Sequence, residues 1–277
     1  MGATRPVHHR NISPFIRYSH EIELRQSFRV HDRKIYDHEF IFGIAGQAMV
    51  AYEGATYRLK PGDLFLIRPH RPHTMSIRGE TPFRCICVHF DWTDMGQAFD
   101  FSPYAVYLDK YARGSAAEAE EELTRRPTDE FTEFGLPNLL GTTDTLQFLA
   151  TFRELDQHFR SAHVSSKLMM KAAFLKIMAL ISQELTTNEG IRKDHPHADK
   201  LLLSIRRLHE HYASKIVAAD LASMFGFSPK YFGTIFKKAT GLTVSEYLLN
   251  IRLDHAKRLL STTTLSIEEI EEKVGLS

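Results

Sequence analysis

The sequence predicts a β part followed by an all-α part: a closed or nearly closed antiparallel sheet, a barrel or jelly roll, then helices ending in a helix-turn-helix. Three observations carry this. Short runs rich in Val, Ile, Phe and Tyr recur between Phe15 and Val106, broken by Gly and Pro turns. From Thr145 onward apolar residues recur at helical spacing instead. Near the C-terminus Gly226-Phe227-Ser228-Pro229 divides two short helical segments, with Gly226 suited to end one, Ser228 to cap the next and Pro229 to fill its first turn.

The strand runs are EFIFGIAGQAMVAYEG, ATYRLKPGDLFLIRP, HTMSIRG and PFRCICVHFDW, separated by Glu53-Gly54, Pro61-Gly62-Asp63, Arg71-Pro72 and Gly79-Glu80. Strand alternation puts Cys85, Cys87 and His89 on one face, and Glu39, Ile41 and Gly43 on one face. Gly114–Glu122 is Ala/Glu-rich and expected helical or mobile, and 126–141, with two Pro and two Gly, irregular. Two amphipathic helices are expected over Thr145–Phe159 and Ser166–Leu185. Their stripes are Leu146, Leu149, Phe152, Leu155 and Phe159, and Leu168, Ala172, Leu175, Met178 and 181–185. Such a pair serves either subunit contact or packing against the barrel.

The polar run 188–198 reads as an interdomain linker, with His195 and His197 in solvent. A helix over Asp199–Tyr212 follows, with Leu201, Leu202, Ile205, Leu208 and Tyr212 inward. In the segment Pro229–Thr240, Phe232, Ile235 and Phe236 share one side, and Lys230, Gly233, Thr234 and Lys237 the other. Thr243-Val-Ser-Glu246 and Ser266-Ile-Glu-Glu269 are capping boxes that open two further helices. The last repeats the start of the helix-turn-helix, and the sequence reaches Ser277 where the first copy continues into its second helix, so the second unit is expected to be incomplete. The domains are accordingly 1–112, 113–187, a linker 188–198, and 199–277.

Composition sets the background. The chain has 277 residues, 43% hydrophobic and 25% charged, with a net charge of +1, so any basic surface must be local. Over Asp199–Leu260 there are ten Lys/Arg against five Asp/Glu, and this excess coincides with the turn motif. The two cysteines are expected to be reduced and buried in a cytoplasmic protein. No run of about 20 apolar residues suits a membrane span, and the N-terminus has no signal-peptide core.

The run DLASMFGFSPKYFGTIFKKATGLTVSEYLLNIRLDHAKRLLSTTTLSIEEIEEKVGLS resembles the DNA-binding domain of AraC/XylS-family transcription regulators. The likeness lies in the Gly-aromatic-Ser turn, the Phe-Lys-Lys-x-Thr-Gly exit, the Tyr-x-x-x-x-Arg linker helix and the Ile-x-x-Ile-x-x-x-Val-Gly opening of a second unit. Gly46, Pro61-Gly62-Asp63-Leu64 and Pro69-x-x-Pro72-His73 likewise resemble the family's cupin-like effector barrel. The resemblance implies groove contacts from Lys230, Gly233, Thr234 and Lys237, and phosphate contacts from Ser228, Tyr231 and Lys238. Val217 departs from the pattern, standing where a capping Ser or Thr is common. The implied partners are double-stranded DNA, a small-molecule effector of carbohydrate type, a second copy of the chain in a homodimer, and RNA polymerase.

Cupins often bind metal, which raises an alternative: a cupin metalloenzyme with a non-functional helical tail. A dimerising regulator unable to bind DNA fully is a third reading. Glu39-x₆-Gly46 and Gly62-x₁₀-His73 keep parts of the cupin metal motifs, but the paired histidines they require would fall at 32–35, which are Asp, Arg, Lys and Ile. No metal, cofactor or catalytic residue is therefore expected. Glu39, His73 and His89 are instead the candidate effector-binding residues, able to hydrogen-bond a polyhydroxy ligand. Gly-x-Ser-x-Gly, a phosphate-cradling loop and CxxC are all missing from the sequence.

Overall fold

The computed structural model describes residues 4–103, 106–107 and 121–276. The chain divides into two units, one of Met1–Thr142 and Gln147–Leu180, the other of Thr143–Leu146 and Ile181–Ser277. The expected 112/113 boundary and most of the Ala/Glu-rich segment lie outside the described residues.

The first unit is a jelly roll. Its strands are β1 (Thr4–Val7), β2 (Phe15–Leu24), β3 (Arg29–Arg33), β4 (His38–Ala45), β5 (Ala48–Tyr52), β6 (Ala55–Leu59), β7 (Asp63–Ile67), β8 (His73–Ile77), β9 (Phe83–Asp91), β10 (Thr128–Phe131) and β11 (Leu139–Gly141). One sheet runs β11-β7-β4-β9-β2, the other β3-β8-β5-β6, and β1 pairs in parallel with β10. The turns that order the strands are chemically specific. Glu53 and Gly54 both take positive φ, 50° and 78°, the twist that suits a two-residue hairpin between β5 and β6. Gly46 is needed at its turn, with φ 69° and an added Cβ only 2.2 Å from the Pro82 carbonyl oxygen. Residues 126–141, expected irregular, supply β10 and β11. Each is a short edge strand, too brief to show a period.

Helix α1 (Glu121–Thr124) precedes β10, and α2 (Thr145–Phe159) and α3 (Val164–Asp194) follow β11. Within the first unit the phenyl rings of Phe148 and Phe152 stack on Phe42, 6.1 and 5.0 Å between centroids, while Phe174 lies 4.7 Å from Phe90. Both helices thus pack on the outer face of the sheet. The inward stripes agree in part with those expected: Phe152, Leu155, Met178 and Ile181 are buried, but α2 also buries Phe148, Thr151 and Asp156, and α3 also buries Met170, Ala173, Phe174 and Ile177. Polar residues hid the true face of α2, where Ser19 Oγ donates to Asp156 at 2.9 Å. Leu168, Ala172 and Leu175, expected inward, are exposed.

The second unit holds α4 (Ala198–Glu210), α5 (Ala218–Met224), α6 (Pro229–Thr240), α7 (Val244–Thr262) and α8 (Ile267–Val274). The linker expected over 188–198 is instead helical as far as Asp194, and residues 195–197 separate α3 from α4. A glycine at 190 costs a helix about 1 kcal/mol relative to Ala, but Ile191, buried in the second unit's core with Leu201 and Ile205, anchors that turn. His195 is buried and His197 lies 4.9 Å from the Phe227 ring, so neither is the solvated histidine expected. Leu201, Ile205 and Leu208 of α4 point inward as predicted, whereas Leu203 is exposed.

Candidate functional site

Helix α6 is fixed at both ends by its own sequence. Ser228 Oγ accepts from the Tyr231 N–H at 3.3 Å, and Gly226 takes φ 70° in the turn before it. At the far end Gly241 is left-handed and its N–H donates to the Lys237 carbonyl at 2.8 Å. Helix α7 opens on a complete capping box: Glu246 N–H donates to Thr243 Oγ1 at 3.3 Å and Thr243 N–H to Glu246 Oε2 at 2.8 Å. Helix α5 keeps half of one, because Asp220 accepts from the Val217 N–H at 3.1 Å while a valine side chain has no oxygen to return the bond.

Phe232 and Phe236 anchor one face of α6 in the core, and Ile235 is half-buried beside them. Ser228, Lys230, Tyr231, Thr234, Lys237 and Lys238 are exposed. Gly233 is half-buried, yet a Cβ built there meets nothing within 4 Å, so packing within the chain does not require a glycine. Thr234 Oγ1 donates to the Lys230 carbonyl at 3.0 Å, which leaves its methyl group and lone pairs for another partner. The basic excess counted from sequence divides into two roles. Arg252 donates to the carbonyls of Tyr212 (2.8 Å) and Ser214 (3.0 Å), and Lys200 to that of Phe225 (3.1 Å), so these cations hold the domain together. The lysines of α6 stay on its surface.

In the first unit Glu39, His73 and His89 come together on one cavity of about 740 Å³, counting its open mouth. Strand parity placed them: Glu39 pairs with His89 and Ile41 with Cys87 across β4 and β9. Cys85 and Cys87 are free thiols, both buried. Glu39 Oε2 lies 3.3 Å from Arg33 Nη1 and its Oε1 3.5 Å from His89 Nε2. The His89 ring, with Arg33 and His73, outweighs the cost of burial and holds the Glu39 pKa at about 2. Behind His89 a polar chain continues inward. Asp37 Oδ1 lies 3.1 Å from His89 Nδ1 and accepts from the Tyr107 hydroxyl at 3.0 Å, and Tyr107 Oη in turn accepts from the Tyr36 N–H at 2.7 Å.

Sequence reasoning missed Tyr18, His20, Arg33 and Tyr107 on this cavity. Alternation along β2 would have found Tyr18 and His20, once β2 was paired with β9. Nothing local points to Arg33 or Tyr107, which arrive from other elements.

His38, one residue from Glu39, faces the opposite side of the sheet. Trp92 Nε1–H donates to its Nε2 at 3.2 Å, which requires an unprotonated nitrogen. Burial pushes the His38 pKa down to about 3 and that of His73 to about 4. Both folded values lie below the ordinary histidine range, so the unfolded chain binds more protons once pH falls below about 6.5. Stability is therefore full above that pH and lost as pH falls towards the folded values. Between pH 6 and 5 the first unit is expected to lose about 2 kcal/mol. Urea unfolding across that range checks this, and His38→Phe is expected to roughly halve the loss. A flat profile would refute it.

Among the described residues no group of three or more His, Cys, Asp or Glu is placed to hold a metal ion. No described helix is long and apolar enough to cross a membrane.

A jelly roll with a lined cavity and a helix-turn-helix on one chain make the architecture of a transcription regulator with a ligand-binding domain. Residues 16–170, more than half of the chain, match the AraC-like ligand binding domain family, and residues 221–277 match a helix-turn-helix domain family. The chain belongs to the AraC family of transcription regulators. It is 24% identical over 273 residues to the HTH-type transcriptional regulator YfiF of Bacillus subtilis, covering 97% of this chain and 78% of that protein. It is 30% identical over 112 residues to the HTH-type transcriptional activator Btr of the same organism, 40% of this chain and 21% of that one. Among solved structures, the C-terminal domain of the response regulator yesN from Fusobacterium nucleatum is 35% identical; the match covers 26% of this chain and 76% of that one, with a TM-score of 0.26.

Proposed function

We propose that this regulator reads double-stranded DNA with α6 and alters its promoter affinity when a small molecule occupies the jelly-roll cavity. The carrying observation is the two-sided character of α6, with phenylalanines buried on one face and Lys230, Thr234 and Lys237 exposed on the other. Those three and Gly233 face the major groove. Ser228, Tyr231 and Lys238 contact phosphates and fix register. The effector sits among Glu39, His73 and His89, and its affinity and that of DNA are thermodynamically coupled. The protein acts in the cytoplasm, where its DNA and RNA polymerase are. The family resemblance suggests a carbohydrate as effector, but the apolar lining at one end of the cavity weighs against one.

The test is a binding titration on the upstream DNA at several salt concentrations. Lys237→Ala is expected to lower affinity about tenfold and to reduce the slope of log affinity against log salt by about 1 if it meets a phosphate. An unchanged affinity and slope for both Lys237→Ala and Lys230→Ala would reject α6 as the reading helix.

The regulator works as a homodimer through α3. Val164, Leu168, Ala172 and Leu175 recur at spacings of four, four and three along one exposed stripe, with Val164 73% and Leu168 65% accessible. An exposed aliphatic stripe at this spacing runs along one helix face and suits packing against a second helix. Leu168→Glu with Leu175→Glu is expected to shift the protein from dimer to monomer in analytical ultracentrifugation without changing its circular dichroism. A persistent dimer would place the interface elsewhere.

A further inference from the structure

The jelly-roll cavity has two chemically different ends, and strand register separates them. Tyr18, His89 and Glu39 lie level across β2, β9 and β4, and on the other sheet Arg33 pairs with His73. His20 and Cys87 come next along the strands, followed by Ile22 and Leu24 on β2. Opposite them Val30 pairs with Met75. Hydrogen-bonding groups therefore crowd one end, and the other is hydrocarbon.

Charge at the polar end is matched. Glu39 sits between Arg33 and His89, and Asp37 lies behind, between His89 and Arg17 Nε at 3.5 Å. Burial lowers the pKa of His20 and His73, so both present neutral imidazoles at pH 7. The Glu39 contacts, at 3.3 and 3.5 Å, are longer than the 2.7–2.9 Å of strong charge-assisted bonds. Its carboxylate can still accept from a ligand.

We infer that the effector is an uncharged amphiphile: an aliphatic or aromatic body against Ile22, Leu24, Val30 and Met75, with a hydroxyl or amide end that donates to Glu39. An anionic head would face the Glu39 carboxylate, and an ammonium would compete with Arg33 for it. A sugar would press hydroxyls against side chains that offer them no partner. This inference rests on the reading of the cavity as the effector site.

The head group can be tested at constant body. The full chain is titrated at neutral pH with 4-phenyl-1-butanol, 4-phenylbutyrate, 4-phenylbutylamine and glucose, by calorimetry. The alcohol is expected to bind about tenfold more tightly than either ion, and glucose not measurably. Glu39→Gln should weaken the alcohol and strengthen the butyrate, because it removes the anion that repels a carboxylate while the Arg33 cation stays beside the site. Opposite shifts of that kind do not arise from general damage to the fold. Tightest binding by an ion or by glucose overturns the inference and leaves the effector reading standing. Failure of all four to bind also overturns it. Cys87→Phe, which fills the cavity, then separates the two ideas: with its thermal transition intact, a changed DNA affinity upholds the effector reading and an unchanged one rejects it.

Discussion

Replacing Arg126 by methionine is expected to destabilise the jelly-roll unit by about 3–5 kcal/mol, the range for removing one partner of a buried ion pair. The guanidinium is fully buried, pairs with Asp91 and lies 5.4 Å from the centre of the Phe101 ring. Nη1 donates to Asp91 Oδ1 at 2.9 Å and to the Tyr36 carbonyl at 2.6 Å, Nε donates to the Phe99 carbonyl at 3.0 Å, and Nη2 donates to Asp91 Oδ2. Methionine fills much of the same volume but returns none of these bonds. Two carbonyls are left without that donor, and Asp91, itself fully buried, keeps the Arg17 guanidinium at 2.5 Å as its one cation among the described residues. The cost is thus chiefly the desolvation of groups left behind rather than the strength of the pair. Arg126→Met combined with Asp91→Leu is accordingly expected to recover part of the loss, since an apolar pair leaves no stranded charge. Urea unfolding of the two variants decides it. A single variant costing under about 1 kcal/mol would show that water reaches this site. The effect should also extend to the cavity, because Tyr36, whose carbonyl Arg126 holds, donates its N–H to the Tyr107 hydroxyl on the cavity wall.

Arg126 also marks where the sequence stops being legible. It stands before Pro127 in a stretch with no apolar period, and a buried arginine leaves no local trace, because its partners come from β9, from the loop before β4 and from Phe99. The strands, by contrast, could be read: alternation over 39–43 and 85–89 predicted which side chains share a face, and the structure brings Glu39, His73 and His89 to one cavity. Turn chemistry was equally legible at Gly226, Ser228 and Thr243, where a φ or a cap has one or two chemical solutions. The α2 and α3 stripes are legible in part, with Phe152, Leu155, Met178 and Ile181 buried as expected, and the misses have a definable reason. Hydrophobicity alone ranks Leu168 and Leu175 above Thr151 and Asp156, yet Asp156 is buried with Ser19 and Arg160 as partners while the leucines face outward. The composition of 188–194 favours a loop, whereas the buried Ile191 decides for helix. Long-range pairing, not local pattern, set each of these outcomes.

Phe232→Ala should abolish DNA binding while leaving effector binding by the jelly-roll unit intact. Its ring is fully buried, 5.8 Å from Phe236 and 6.4 Å from Phe227, and Phe236 in turn meets Tyr247 of α7 edge-on at 5.6 Å. Helices α5 and α6 have 7 and 12 residues. Helices that short are marginal in water on their own, so their persistence depends on this aromatic contact rather than on propensity. Truncating a buried phenylalanine costs about 3–5 kcal/mol, a large part of the 5–15 kcal/mol typical of a whole domain. Lys237→Ala provides the contrast, because Lys237 is exposed and its loss should lower DNA affinity with an unchanged melting transition. Two variants that both bind DNA poorly are thereby distinguished, one by an absent reading helix and the other by an absent contact. Differential scanning calorimetry beside the DNA titration makes the distinction: Phe232→Ala should lose or sharply lower one transition and keep the other. If Phe232→Ala binds DNA as the wild type does, the orientation of α6 is not set by its buried face, and the assignment of Lys230, Thr234 and Lys237 to the groove falls with it.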